Sequence, residues 1–367
     1  MKRTLAVMMG FLSIVVACAT HAAEPAAPAA GVVQQYGLEE AKVPVRERTG
    51  WHKPKRILVS GGLAEALRSA APGVEIITAT GADAIARAAT VDALIGFCNP
   101  QVIAAGKSIQ WIQVMTAGVE QCVAVPEVRE RNILLTNMQR ISGPIIAEHA
   151  IAIMLAFTRG LDLLIPAQAK GEWRKGQLPP GRMEVVQGKT LLVNGLGGIG
   201  GEIAKRAHAL GMRVIATRAS GRTGPDYVSY VGLPDELTKL AAEADVIVNA
   251  APLTPQTTGI FDAAFFGKMK KTAYFINIAR GGSVVTDALV AALKSGQIAG
   301  AGLDVTDPEP LPPSHPLWTA PNVIITPHVA SDSDLEGIAQ IAVVKENLRR
   351  YIAGEKMLSV VDVAKGY

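Results

Sequence analysis

Thr190-Leu191-Leu192-Val193-Asn194-Gly195-Leu196-Gly197-Gly198-Ile199-Gly200 is the stretch whose reading decides the fold of this chain. A short apolar run of strand character feeds directly into Gly-x-Gly-x-x-Gly. Helix-forming residues follow from Glu202 to Leu210, and Gly211 closes them. Each glycine has a mechanical role. Gly195 allows a tight turn, Gly197 admits a pyrophosphate close to the backbone, and Gly200 lets helix and strand pack closely. The helix N-terminus then offers free N–H groups and a partial positive charge to that anion. A further strand, Arg213 to Thr217, comes next, so the strand–turn–helix–strand context of a dinucleotide site is complete and the motif is not merely a flexible loop.

The residue after that second strand selects the cofactor. NAD sites place an Asp or Glu about 20 residues on, to hold the ribose 2′-hydroxyl. Here the position holds Arg218, and no carboxylate occurs between Arg213 and Pro225. A planar, permanently charged guanidinium suits a 2′-phosphate, so the sequence favours NADP(H), with NAD(H) as the alternative.

Working outward, short apolar strands alternate with helices on both sides of this unit. Before it, Ile57 to Val59, Val74 to Thr78, Ala93 to Phe97, Ile109 to Met115 and Ile133 to Leu135 read as strands; after it, Asp245 to Ala250, Thr272 to Ile278, Ala301 to Val305 and Val323 to Thr326. Repeated β–α units with apolar strands imply parallel sheets covered on both faces. Ala147 to Arg159 is an apolar joining helix, whose His149 reads as a packed residue. Leu335 to Tyr351 is a closing amphipathic helix, and the proline-rich Asp307 to Pro313 cannot be regular structure.

The amino terminus reads as a targeting segment. Lys2 and Arg3 precede an apolar run from Leu5 to Ala17, and Val15-Val16-Ala17-Cys18 resembles a lipoprotein cleavage box, with Cys18 as the lipid-bearing residue. The expectation is a signal peptide over 1–23, a linker over 24–50, and an exported chain, periplasmic or membrane-anchored. The formal charge of +4, about +2 without Lys2 and Arg3, is no nucleic-acid footprint. Of the three cysteines, Cys98 and Cys122 could form a bridge in an oxidising compartment, but two buried free thiols are the favoured reading. No metal-ligand spacing occurs.

Three polar residues stand at or beyond the carboxyl ends of second-half strands: Arg280, Glu309 and His328. Such ends are where open α/β sheets keep function. Arginine binds a carboxylate in bidentate fashion, histidine exchanges a proton with an adjacent carbonyl oxygen, and a nearby glutamate favours the imidazolium form. The loop Met115-Thr116-Ala117-Gly118-Val119 lies at the equivalent edge of the first half.

With these residues in place, the chain resembles the D-isomer-specific 2-hydroxyacid dehydrogenases from about Arg56 to Tyr351. The resemblance rests on the glycine loop, Pro252-Leu253-Thr254-Pro255-Gln256-Thr257, Asn277-Ile278-Ala279-Arg280-Gly281-Gly282, Gly302-Leu303-Asp304-Val305, Glu309-Pro310, His315-Pro316-Leu317-Trp318 and Thr326-Pro327-His328, in that order. It implies two doubly wound parallel-sheet domains: a Rossmann cofactor domain over 144–328, inserted into a flavodoxin-like substrate domain split over 51–143 and 329–367. It implies Arg280, Glu309 and His328 as the catalytic set. The substrate carboxylate would lie between Arg280 and the backbone amides of Ala117 and Gly118. The cofactor would be held by Gly195, Gly197, Gly198, Ile199, Gly200, Arg218, Pro252, Thr257 and Asp304, the last near the nicotinamide. It also implies a homodimer.

The expected activity is hydride transfer between NADP(H) and a small 2-oxo acid or D-2-hydroxy acid, of the glyoxylate or hydroxypyruvate type. The alternatives are another acid with NAD(H), or an exported cofactor-binding protein without turnover. Departures from the family pattern are Arg218, the turn Met138 to Ser142, and Gly198 where a larger polar residue is frequent.

Overall fold

The computed structural model describes residues 29–366. Strands β1 (Arg56–Val59), β2 (Glu75–Thr78), β3 (Ala93–Ile95), β4 (Trp111–Gln113) and β5 (Leu134–Thr136) form a five-stranded sheet. Strands β6 (Thr190–Asn194), β7 (Arg213–Thr217), β8 (Tyr230–Gly232), β9 (Val246–Asn249), β10 (Tyr274–Asn277), β11 (Gly300–Leu303) and β12 (Val323–Ile325) form a seven-stranded one. The first sheet runs β2-β1-β3-β4-β5, the second β12-β11-β10-β9-β6-β7-β8. All pairings are parallel. These are the two doubly wound orders, and each reverses direction once, opening a crevice at the carboxyl ends of its strands. In the second sheet the reversal falls between β6 and β9, where the glycine loop leaves β6.

The strands read as continuous apolar runs because helices cover both faces: β3, β4, β5, β6, β9, β10 and β11 are buried at every position. Helix Gly143–Thr158 belongs to the second body. Its Ala147, Ala150, Ile153, Met154 and Phe157 pack with Ile203 and Ala207 of helix Gly198–Ala209 and with Ile276 of β10. Helix Glu336–Ala353 returns to the first body, where Val343, Leu348 and Tyr351 join Ile57, Val59 and Trp111. Trp111 and Tyr351 stack with centroids 4.6 Å apart, an arrangement worth about 0.5–1.5 kcal/mol beyond the area it buries.

Three expectations are corrected. Part of the supposed linker 24–50 is structured: helix Ala29–Tyr36 and the segment after it bury Val32, Leu38 and Val45 in the first core, and Glu40 bridges Leu358. The apolar residues scattered through an otherwise linker-like composition explain the docking. Cys98 and Cys122 are not free thiols but a disulfide, with Cα atoms 4.9 Å apart. The pairing of β3 with β4 brings the turns that leave these two strands side by side.

The exported, periplasmic or membrane-anchored chain is also not upheld. The described residues form an α/β enzyme fold in which no single helix is long and apolar enough to cross a membrane. The one pair of described helices that passes by length and composition is bent by 75°, and its first member is packed in the second core. The leader 1–23 and Cys18 lie outside the described residues.

Candidate active site

At the glycine loop, sterics and backbone geometry agree with a pyrophosphate cradle. Gly195 has φ 95°, and a Cβ there would stand 2.7 Å from the Ala251 backbone. A Cβ on Gly200 would stand 2.0 Å from the Gly195 carbonyl oxygen, so this contact of helix and turn needs glycine. Around Gly197, by contrast, nothing lies within 4 Å of where a Cβ would be, which leaves its surface open. The following helix, Gly198–Ala209, presents the N–H groups of its first turn without intrahelical acceptors. Ile199 packs its side chain against the second core, and Gly198 faces the side chain of Arg140, 3.0 Å from where its own Cβ would be.

Two arginines follow β7, and they differ in partners. Arg222 is bound by Glu236 at 2.6 Å and by the Tyr230 hydroxyl at 2.9 Å. The Glu236 carboxyl sits at about 2, through hydrogen bonds from the Tyr230 hydroxyl and the Leu233 N–H and through Arg222. The Arg218 guanidinium donates to the Thr223 carbonyl, at 3.0 Å. Among the described residues no carboxylate pairs with it, so its charge is available to an anion. Pro252 and Thr257 serve the shape of their own loop: the Thr257 hydroxyl donates to the Pro252 carbonyl and accepts from the Thr254 N–H, both at 2.7 Å.

The carboxyl edge of the second sheet is tied together by residues whose importance the sequence did not announce. β7, β6, β9 and β10 end in Thr217, Asn194, Asn249 and Asn277, which lie in register. The Thr217 hydroxyl donates to Asn194 (2.7 Å), the Asn194 amide to Asn249 (2.9 Å), and the Asn249 amide to Asn277 (3.0 Å) and to the Ser283 hydroxyl (2.9 Å). The Asn277 amide and the Ser283 hydroxyl both donate to the Arg280 carbonyl, at 2.9 and 2.7 Å. A satisfied buried network of this kind is rigid, and it joins the backbone before Arg218 to the backbone of Arg280. The signal was present, since three apolar strands each close on asparagine, but a single strand-end asparagine is ordinary turn chemistry.

One strand further, Asp304 is buried. Its carboxylate organises the turn that carries His328. Oδ1 accepts from the Thr326 hydroxyl at 2.6 Å and the Val329 N–H at 3.0 Å, and Oδ2 from the Ala330 N–H at 3.0 Å. His149, as expected, is a packed residue, 2.9 Å from the Thr326 hydroxyl. His328 itself has φ 58°, a left-handed conformation that costs a histidine energy and needs such support. Its Nδ1 is 2.5 Å from Glu309 Oε1, and no other side chain bonds the ring among the described residues. Both side chains are near two-fifths exposed, 44% and 41%.

Arg280 meets the first body across the cleft. Its guanidinium fills the space beside Gly118, where a Cβ would stand 1.8 Å from Nη2. Among the described residues the N–H groups of Ala117 and Gly118 have no hydrogen-bond partner; the Ala117 carbonyl is taken by the Asn137 amide at 2.7 Å and the Gly118 carbonyl by the Thr116 hydroxyl at 2.7 Å. One side of the cleft thus offers two free amides and the other a guanidinium, a donor set suited to a carboxylate. The sequence reading missed Glu120, which pairs with Arg280 Nε at 3.0 Å.

Known proteins resemble this chain in sequence and in fold. Residues 151–330 match the family model described as D-isomer specific 2-hydroxyacid dehydrogenase, NAD binding domain. The human glyoxylate reductase/hydroxypyruvate reductase is 36% identical over 260 residues, 70% of this chain and 78% of the relative. Among solved structures, an NADPH-dependent glyoxylate/hydroxypyruvate reductase from Sinorhizobium meliloti in complex with NADP and sulfate has 28% identity and a TM-score of 0.72, covering 85% of this chain and all of the other (100%). A D-isomer specific 2-hydroxyacid dehydrogenase from Xanthobacter autotrophicus Py2, in complex with NADPH and MES, also has 28% identity and a TM-score of 0.72, with 86% and 100% covered. With the glycine cradle, the His–Glu pair and the cleft arginine all present on this fold, the chain belongs to the D-isomer specific 2-hydroxyacid dehydrogenase family.

Proposed function

We propose that this chain is an NADP(H)-dependent reductase of small 2-oxo acids, of the glyoxylate or hydroxypyruvate type, that yields D-2-hydroxy acids. The observation that carries the reading is His328. One ring nitrogen is held by Glu309, the other has no hydrogen-bond partner among the described residues, and His328 follows β12 at the same carboxyl edge of the sheet at which Arg280 follows β10.

The substrate carboxylate lies between Arg280 and the two free amides, which orients the adjacent carbonyl. When bound, the reduced nicotinamide supplies a hydride to the carbonyl carbon. His328 donates its free-side proton to the carbonyl oxygen as that charge develops, and Glu309 balances the imidazolium before the transfer. Afterwards the partly exposed ring recovers its proton from solvent. The glycine loop and the first turn of helix Gly198–Ala209 would hold the pyrophosphate, and Arg218 would hold the 2′-phosphate with a charge that no carboxylate among the described residues neutralises. Similar structures in complex with NADP and with NADPH support this preference.

A homodimer is part of the proposal. Ile165, Trp173, Met183 and Val185 are exposed at 61, 88, 55 and 64% on one arm of the second body. That arm also lines a groove of about 600 Å³ with Leu164, Leu178 and Met183. Apolar exposure of this extent marks an association surface.

The test is oxidation of NADPH and of NADH by the purified protein across a panel of 2-oxo acids. NADPH oxidation with glyoxylate or hydroxypyruvate, much weaker with NADH and abolished in His328→Ala, is the expected result. Turnover with NADH alone removes the role of Arg218, and no turnover with any acid removes the reaction.

A further inference from the structure

The substrate cleft carries more negative charge than a receptor for anions requires. Glu120 lies side-on against Arg280, with Oε1 3.0 Å from Nε and Oε2 3.4 Å from Nη2. Arg280 Nη1 donates to the Ala279 carbonyl at 2.7 Å. Of the five N–H donors of a guanidinium, these contacts leave one on each terminal nitrogen, enough for one carboxylate held end-on. Glu120 therefore already balances the cation that receives the substrate, and the remaining donors serve a single anionic group.

Apart from His328, whose imidazolium is matched by Glu309, the surrounding segments add no second cation. Residues 115–122, 306–312 and 328–340 contain no lysine or arginine, whereas they contain Glu120, Asp307, Glu309, Asp332, Asp334 and Glu336. Glu336 is bound to the Gln340 amide at 3.1 Å, and the same amide reaches the Met115 carbonyl at 3.1 Å, so this carboxyl stands beside the start of the Ala117–Gly118 loop. Burial first, and then the charge of Asp332, hold the Glu336 carboxyl above its usual range. Arg140, the cation of the neighbouring turn, is bound to Glu39. A second anionic group on the substrate would stand near Glu120, which is in contact with Arg280, and like charges at short range repel.

We infer that the cleft selects 2-oxo acids whose only negative charge is the carboxylate at Arg280, and that Glu120, assisted by Glu336, is the specificity-determining residue that turns away a second carboxylate or a phosphate. The inference rests on the reading of this cleft as the 2-oxo acid site.

The experiment compares 2-oxobutyrate with oxaloacetate, acids of similar size that differ by one negative charge, in the parent, Glu120→Gln and Glu336→Gln proteins with NADPH. The parent is expected to favour 2-oxobutyrate in kcat/KM. Glu120→Gln should narrow that ratio by about tenfold or more, the Coulomb effect of one charge at this range. Any disturbance of Arg280 cancels in the ratio, because both acids use the same carboxylate site. If Glu120→Gln fails to fold by circular dichroism, Glu336→Gln carries the test with a smaller narrowing. Calorimetric binding of 2-hydroxybutyrate and D-malate to the NADP⁺-loaded proteins reads the same selection without turnover. A parent that takes both acids equally, or a ratio unmoved in the folded variants, overturns the inference alone. Absence of both turnover and binding of the monoanions in the parent overturns the functional reading, and the inference with it.

Discussion

Asp304 organises the turn that carries His328: Thr326, Val329 and Ala330 all donate to its carboxylate, and the Asp304 carbonyl accepts the His328 N–H at 2.8 Å. A left-handed histidine is thus held by a buried aspartate one strand away. This makes Asp304 a positioning residue, and its effect on activity runs through the geometry of the ring.

Asp304→Ala should therefore lower kcat by about 10²-fold or more, the scale on which a small misplacement of a reacting group acts. It leaves three donors without acceptors and should also cost about 2–4 kcal/mol of stability. NADPH affinity, followed by fluorescence titration, should change by far less than kcat. Equal losses in binding and turnover would place the Asp304 contribution at the cofactor instead.

Arg218 gives a cofactor-selective variant. Removing an unneutralised guanidinium from a 2′-phosphate costs about 1.5–3 kcal/mol, roughly 10- to 100-fold. Arg218→Ala should raise the KM for NADPH by that factor and leave NADH nearly unaffected. Arg222→Ala, whose partner Glu236 already neutralises it, should change the NADPH to NADH ratio much less.

The glycine loop separates binding from folding. Gly197→Ala places a methyl group where nothing lies within 4 Å, so Tm should match the parent while NADPH binding weakens. Gly200→Ala drives a methyl group to 2.0 Å from a backbone oxygen. That variant should be destabilised by several kcal/mol, beyond the about 1–3 kcal/mol of ordinary overpacking, and calorimetry of the two proteins without cofactor distinguishes them.

Asp245 gives the chain a defined acid sensitivity. Burial opposes its ionisation, but the Lys270 ammonium at 2.8 Å and the Thr190 N–H at 2.8 Å outweigh it and hold the carboxyl below its usual range. A depressed carboxylate contributes its stability in full above its unfolded value of about 3.9, and loses it as pH falls through the lower folded value. Asp245→Asn should cost about 1–3 kcal/mol at pH 7, and the gap in Tm between parent and variant should close below about pH 4. A gap that widens on acidification would reverse the sign of this contribution.

The sequence by itself determined what depends on neighbours along the chain. Apolar runs such as Leu191–Val193 and Phe275–Ile276 announced buried parallel strands, the glycine spacing announced the turn, and Arg280, Glu309 and His328 were legible because strand ends are where such sheets expose side chains. What only the tertiary structure decided depends on which strand lies beside which. Pairing of β3 with β4 joined Cys98 to Cys122, and docking of Val32, Leu38 and Val45 turned a supposed linker into core. Register across the second sheet linked Asn194, Asn249 and Asn277, and closure of the cleft set Glu120 against Arg280, 160 residues away. Periodicity and turn chemistry are short-range and can be read off a chain. A side-chain partner is chosen by packing, and packing exists only once distant segments have been brought into contact.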